Sequence, residues 1–286
     1  MSTNELKEVY IDPRTDFGFK YLFGTPMNKD LLIDFLNALF HGTHIITDLT
    51  YLNGEQLGIH KEDRRAIFDV YCETESGEKF IVEMQNVFQQ FFKDRSVYYS
   101  TFPIREQAKR GDWDFHLEAV YTVGILNFVF AEDKNSKDYY HHEVKLMDVK
   151  TKEIFYDKLT FVYLELPKFT KTEEELETLF DKWMFVLKNL SRLLERPAAL
   201  QERVFNRLFE AASIARFTPK QLREYEDSVK AYRDIVNAVN TARQEGRQEG
   251  RQEEKQEIAR AMKATGMDVD TIHKLTELAS EEIQKL

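Results

Sequence analysis

Ile67-Phe-Asp-Val-Tyr-Cys-Glu-Thr-Glu-Ser-Gly-Glu-Lys-Phe-Ile-Val-Glu-Met-Gln85 is the stretch whose reading decides the fold. It reads as two β-strands, residues 66–75 and 79–85, around a turn at Ser76-Gly77. Asp69 and Glu83 each sit mid-strand among apolar neighbours. Strands disfavour Asp, and a buried carboxylate is costly without a partner. Two of them on adjacent strands therefore need an explanation.

Parity tests the register, because facing residues of paired strands share a side of the sheet. A two-residue loop puts Asp69 opposite Met84 and mixes charge into an apolar face. A three-residue loop, Glu75-Ser76-Gly77 with Gly77 left-handed, pairs Phe68 with Met84, Val70 with Val82 and Cys72 with Phe80. The other face then sets Asp69 against Glu83 and Ile67 against Gln85. This second register separates the two faces completely and is the one predicted. Its consequence is two carboxylates side by side with Gln85 next along. Such a pair repels unless a cation neutralises it, and a hard divalent ion such as Mg²⁺ or Mn²⁺ suits oxygen donors. The residues alone leave a second reading open, a pair facing solvent or satisfied by Arg64, Arg65 or Lys79.

Outward from this hairpin the chain divides by pattern. Leu31, Leu32, Phe35, Leu36, Leu39 and Phe40 recur at helical spacing, and Gly42 lies near the helix end. Residues 89–110 read as a helix in which Pro103 predicts a kink or break. Residues 45–52, 117–130, 142–149 and 159–166 read as further strands. From Thr172 the pattern is helical. The expected domains are a mixed core at 1–168, a helical extension at 169–242, a charged spacer at 243–257 and a small helical tail at 258–286. The spacer reads RQEGRQEGRQEEKQE, with like charges at i,i+4 and no apolar position, so it is expected to be solvated and only partly helical. In the tail, Gly266 is a plausible helix cap, Asp268 or Asp270 starts a second helix that buries Ile272 and Leu275, and Ser280 starts a third. Such helices suit a helix-turn-helix or a packing and self-association hairpin; the few basic residues weigh toward the latter, hence a possible homo-oligomer.

The composition bounds the class. The 286 residues are 42% hydrophobic, with 22 Phe and 13 Tyr, which excludes wholesale disorder. A single cysteine, Cys72, excludes an intramolecular disulfide and a cysteine zinc site. The net charge of −10 argues against a bulk nucleic-acid coat, but leaves room for a local basic groove beside metal-binding carboxylates. No signal segment is legible at the N-terminus. The most apolar run, 119–131, is too short and polar to span a bilayer, so the expected setting is cytoplasmic, without a membrane partner.

Asp69, thirteen residues, then Glu83-Met84-Gln85 resembles the D…(D/E)-x-K motif of the PD-(D/E)XK nuclease superfamily, in its variant with Gln for Lys. Asp16-Phe-Gly-Phe-Lys-Tyr-Leu-Phe23, the Asp69 strand, Glu83-x-Gln85, Arg95-Ser-Val-Tyr-Tyr99 and the RQEG tail together resemble the Rpn-type recombination-promoting nuclease and transposase family (PDDEXK-2 type). The resemblance covers about residues 10–165. It implies an α/β (α+β) fold, with a restriction-endonuclease-like mixed sheet of about four strands flanked by helices and a helical C-terminal region. It also implies Mg²⁺- or Mn²⁺-dependent hydrolysis of DNA, with Asp69 and Glu83 as metal ligands. Catalytic candidates are Asp69, Glu83, Gln85 and Asp16, the last taking a metal-bound water or merely capping a helix. Arg95, Tyr99 and Gln107 are the substrate-binding candidates.

Gln85 departs from the motif because it brings no positive charge. Lys20 and Lys93 are the candidate substitutes. If the missing charge limits the rate, Gln85→Lys is expected to preserve or raise cleavage; if its ammonium displaces the metal instead, cleavage is lost and high Mg²⁺ restores it. Two readings follow: a metal-dependent DNA endonuclease linked to recombination or mobile elements, or a weak or inactive nuclease-fold module that binds DNA or protein.

Overall fold

The computed structural model describes residues 8–42, 45–56, 66–108, 114–132, 135–136 and 138–286. The chain forms two compact units, residues 1–232 and 233–286.

The first unit is built on a six-stranded mixed sheet. Its strands are β1 (Leu49–Tyr51), β4 (Val70–Thr74), β5 (Lys79–Gln85), β6 (Val120–Leu126), β7 (His141–Met147) and β8 (Ile154–Glu165), in the order β1-β4-β5-β6-β8-β7. β5, β6 and β8 run parallel, and the pairs at both edges are antiparallel. Two short strands, β2 (Glu55–Gln56) and β3 (Ala66–Ile67), form a separate ribbon.

Both faces of the sheet are covered, as parallel strands require. Phe80 and Val82 of β5, Tyr121, Val123 and Ile125 of β6, and Val162 and Leu164 of β8 point into the main core. That core is closed by α1 (Asp16–Phe23), α2 (Lys29–Leu39), α4 (Leu179–Asn189) and α5 (Arg203–Ala212), with Trp183 fully buried at its centre. The alternate residues meet α3 (Phe92–Glu106): Ile81 and Tyr71 pack with Phe102, while Leu126, Phe161 and Tyr163 pack with Phe92. Glu83 and Gln85 share the parity of Ile81 and therefore lie on the α3 face. The β5-α3-β6 unit places the C-terminal end of β5 beside the start of α3, where open α/β sheets form their crevices.

The hairpin register is the predicted one. Val70 pairs with Val82, Cys72 with Phe80, and Gly77 turns at φ +87°. The strand expected at 66–75 is broken, however. The Phe68 amide donates to Gly54 O, Ile67 belongs to the β2–β3 ribbon, and Asp69 stands at the bend between the two pieces. The expected 45–52 strand shortens to β1. α3 contains Pro103 without breaking there and ends at Glu106; residues 109–110 of its expected span lie outside the described residues.

α6 (Pro219–Ala264) is one helix that includes the whole RQEG repeat, and residues 237–254 are exposed. In the second unit α7 (Val269–Thr276) is capped by Asp268, whose side chain accepts from the Thr271 amide at 2.9 Å. α8 (Ser280–Lys285) follows. Ala259, Ile272, Leu278 and Ile283 form the small core of this unit. Leu275, expected inside, is 61% exposed: Ile272 takes the inward position and Leu275, three residues on in a short helix, does not reach the core. No described helix is long and apolar enough to cross a membrane.

Candidate active site

Asp69 and Glu83 meet at the end of β5 on the α3 face. The Met84 amide donates to Asp69 Oδ2 at 2.9 Å, so the backbone of β5 holds the carboxylate that the bend at residue 69 releases from the ladder. Glu83 sits opposite Gly124 on β6. A Cβ at Gly124 would come 3.1 Å from Tyr163 and 3.3 Å from Phe92, so the missing side chain lets α3 close over this part of the sheet.

The electrostatics of the pair are strained. Burial pushes the Glu83 carboxyl up to about 8, the Asp69 charge adds to the rise, and Arg95 opposes it. Burial likewise raises the Asp69 carboxyl, against the Met84 amide and Lys20. Two carboxylates whose charges oppose each other in a desolvated site are a poor resting arrangement and a good cation site.

Two cations border the pair. Lys20 Nζ, from α1, lies 2.6 Å from Asp16 Oδ1 and 3.9 Å from Asp69 Oδ1. Arg95, from α3, places Nη2 2.5 Å from Gln85 Oε1 and 3.7 Å from Glu83 Oε2. Its Nη1 donates to Gln89 Oε1, and its guanidinium lies over the rings of Phe92 and Tyr99. Gln85 Nε2 donates to Val87 O at 2.9 Å, which fixes its amide. α1 is brought to the site by Asn86, whose side-chain amide donates to Arg14 O across 72 residues of chain.

Asp16, Asp69, Glu83, Gln85, Arg95 and Tyr99 thus gather at one end of the sheet. Asp16 does not cap α1; Thr15 does, accepting from the Gly18 amide, while Asp16 is exposed and bound to Lys20. Tyr99 packs edge-on against Phe68 and takes a hydrogen bond from the Ile67 backbone. Gln107 is elsewhere. Its Oε1 accepts from the Glu118 amide at 2.7 Å and its Nε2 reaches Glu118 O, which ties the end of α3 to the chain entering β6. Glu118 precedes the Val120–Lys79 pair, at the opposite end of β5 from Gln85. Lys93 is also engaged away from the pair, on Glu132 and over the Phe130 ring. Lys79 binds Glu73 at the far end of β5, and Arg64 and Arg65 lie outside the described residues. Gln89 and Gly124 carry no signal in the sequence; only the folded register gives them a place.

Among the described residues no group of three acidic, histidine or cysteine side chains converges. Two hard carboxylate donors, approached by Lys20 and Arg95 only at 3.9 and 3.7 Å, fit Mg²⁺ or Mn²⁺, which bind through one or two carboxylates and complete their shell with water and phosphate.

No curated protein and no solved structure matches the chain. Residues 252–286 match the C-terminal helix-turn-helix domain of the Rpn/YhgA-like nuclease family, which supports the helix-turn-helix reading of the tail. Residues 13–242, which include the Asp69–Glu83 hairpin, match the PD-(D/E)XK nuclease family transposase model, and the chain belongs to that family.

Proposed function

We propose that the protein is a metal-dependent DNA endonuclease that hydrolyses phosphodiester bonds, in the setting of recombination or mobile-element activity. The observation that carries this reading is the desolvated Asp69–Glu83 pair at the end of β5, bordered by Lys20 and Arg95. Asp69 and Glu83 would hold Mg²⁺ or Mn²⁺, which supplies charge neutralisation and an activated water when bound. The net reaction consumes one water: its oxygen bonds to phosphorus, the P–O ester bond breaks, and the leaving oxygen takes a proton. Arg95, 3.7 Å from Glu83 and over the Tyr99 ring, would hold the phosphate beside this pair. The helix-turn-helix match makes DNA the natural partner and also supports a second reading, a DNA-binding module with weak or no cleavage. A cytoplasmic setting and self-association through the C-terminal helices complete the proposal.

The test uses supercoiled plasmid and purified full-length protein. Nicking is expected with Mg²⁺ or Mn²⁺, to stop with EDTA, and to fall at least about a hundredfold in Asp69→Ala and Glu83→Ala. Equal nicking by a well-folded Asp69→Ala protein assigns the activity elsewhere. Tight DNA binding without any metal-dependent nicking favours the binding module.

A further inference from the structure

Resting on the nuclease reading, we propose that Arg95, held in place by Gln85, supplies from α3 the positive charge that a motif lysine would bring from position 85. Gln85 is then a positioning residue and Arg95 the group that meets the DNA phosphate.

Four observations carry this. Gln85 has both ends of its amide committed, Nε2 to Val87 O and Oε1 to Arg95 Nη2. The guanidinium is fixed further by Gln89 Oε1 and by the rings of Phe92 and Tyr99. It stands 3.7 Å from Glu83 Oε2, on the face where a lysine at 85 would carry its ammonium. Finally, Arg95 Nε is buried and has no hydrogen-bond partner among the described residues, while Nη1 and Nη2 each make one hydrogen bond. A buried donor without a partner is rare, and an oxyanion is the natural acceptor for a guanidinium.

The same geometry accounts for the departure from the motif. A neutral amide oxygen binds a guanidinium, whereas an ammonium at position 85 would meet the like charge of Arg95. With Arg95 at this site, Gln is the compatible residue and Lys is not. Lys20 is the other nearby cation, but Asp16 and Asp69 already engage it.

The experiment compares Arg95→Met, Gln85→Lys and the double variant Arg95→Met/Gln85→Lys in full-length protein. Three readouts are taken: plasmid cleavage with Mg²⁺, anisotropy of a labelled oligonucleotide in EDTA, and melting temperature. Arg95→Met is expected to cleave at least about a hundredfold more slowly and to bind DNA about tenfold more weakly, with a salt slope lower by about one phosphate contact. Gln85→Lys alone is expected to lose cleavage although it adds charge. The double variant, with its cation moved back to the strand, is expected to recover at least about tenfold over Arg95→Met in cleavage and to regain binding in EDTA.

A double variant no better than folded Arg95→Met overturns the inference, as does Gln85→Lys cleaving like the wild type. If Arg95→Met does not fold, the contrast between Gln85→Lys and the double variant decides alone, because both carry a cation at the site. Absence of cleavage in the wild type would end the hydrolytic reading, and rescue of binding in EDTA would still decide this one.

Discussion

Glu83 concentrates the chemistry of the molecule in one side chain. Its carboxyl is raised from 4.5 to about 8, by burial first and by Asp69 second. A raised carboxyl pKa means that ionising the group opposes folding. Without metal, this contribution to stability is full below about pH 4.5 and is lost as pH rises toward 8. Glu83→Gln is therefore expected to stabilise the EDTA-treated protein by on the order of 1–3 kcal/mol at pH 8, and hardly at all at pH 4.5. Urea melts at the two pH values measure it. Mg²⁺ should raise the melting temperature of the wild type at pH 8 and leave Glu83→Gln nearly unmoved. Equal shifts in both proteins would place the metal elsewhere. The proximity of Asp69 and Glu83 was legible in the sequence because parity and a three-residue turn determine it. Arg95 as the partner of Gln85 was not, since a ten-residue spacing says nothing about where a helix docks. The expectation that Gln85→Lys preserves cleavage counted a missing charge without the guanidinium beside Gln85; with Arg95 in the role proposed for it, the opposite outcome is set against it.

At the scale of elements, long apolar periodic runs read true and contacts between distant segments did not. β5 and α2 stand where their patterns put them, because their burial is set by their own period. The 66–75 strand misread because β-propensity continues through Phe68 while the chain leaves the sheet to join β2. Gln107 misread for a related reason: helical phase placed it with Arg95 and Tyr99, but the end of α3 lies over the entry to β6. Gln107→Ala is accordingly expected to lower stability by about 1–2 kcal/mol, through the unsatisfied Glu118 amide, with little change in kcat/KM. A large kcat/KM loss without destabilisation would return Gln107 to the substrate. Gly18 offers a second test. A Cβ there would stand 2.1 Å from Asp12 O, against backbone that also positions the Thr15 cap. Gly18→Ala should cost several kcal/mol and displace the helix that carries Lys20, so thermal stability and cleavage should fall together.

Over the whole molecule, charge and family membership pull in different directions. The chain carries −10, and the segment matched as a helix-turn-helix is itself acidic. Residues 252–286 hold Glu253, Glu254, Glu257, Asp268, Asp270, Glu277, Glu281 and Glu282 against Lys255, Arg260, Lys263, Lys274 and Lys285. Composition therefore weighed against DNA for this tail, whereas the end of α6 with α7 and α8 matches a helix-turn-helix family. The acids have separable roles. Glu282 accepts from Gln252 and Gln256 and belongs to the packing of the tail, and Glu277 binds Lys255. Glu281 is exposed in the first turn of α8. If the tail meets DNA, Glu281 is a charge that phosphate must approach without compensation. Glu281→Lys is then expected to raise affinity for duplex DNA severalfold at low salt, with the gain fading toward 0.2 M salt as counterion release shrinks. Anisotropy titrations at several salt concentrations measure both the gain and its slope. A gain that persists at high salt would indicate a repacked tail instead of a new phosphate contact. Unchanged affinity at every salt concentration, in a variant that melts like the wild type, would detach this helix-turn-helix from DNA and leave binding to the site around Arg95.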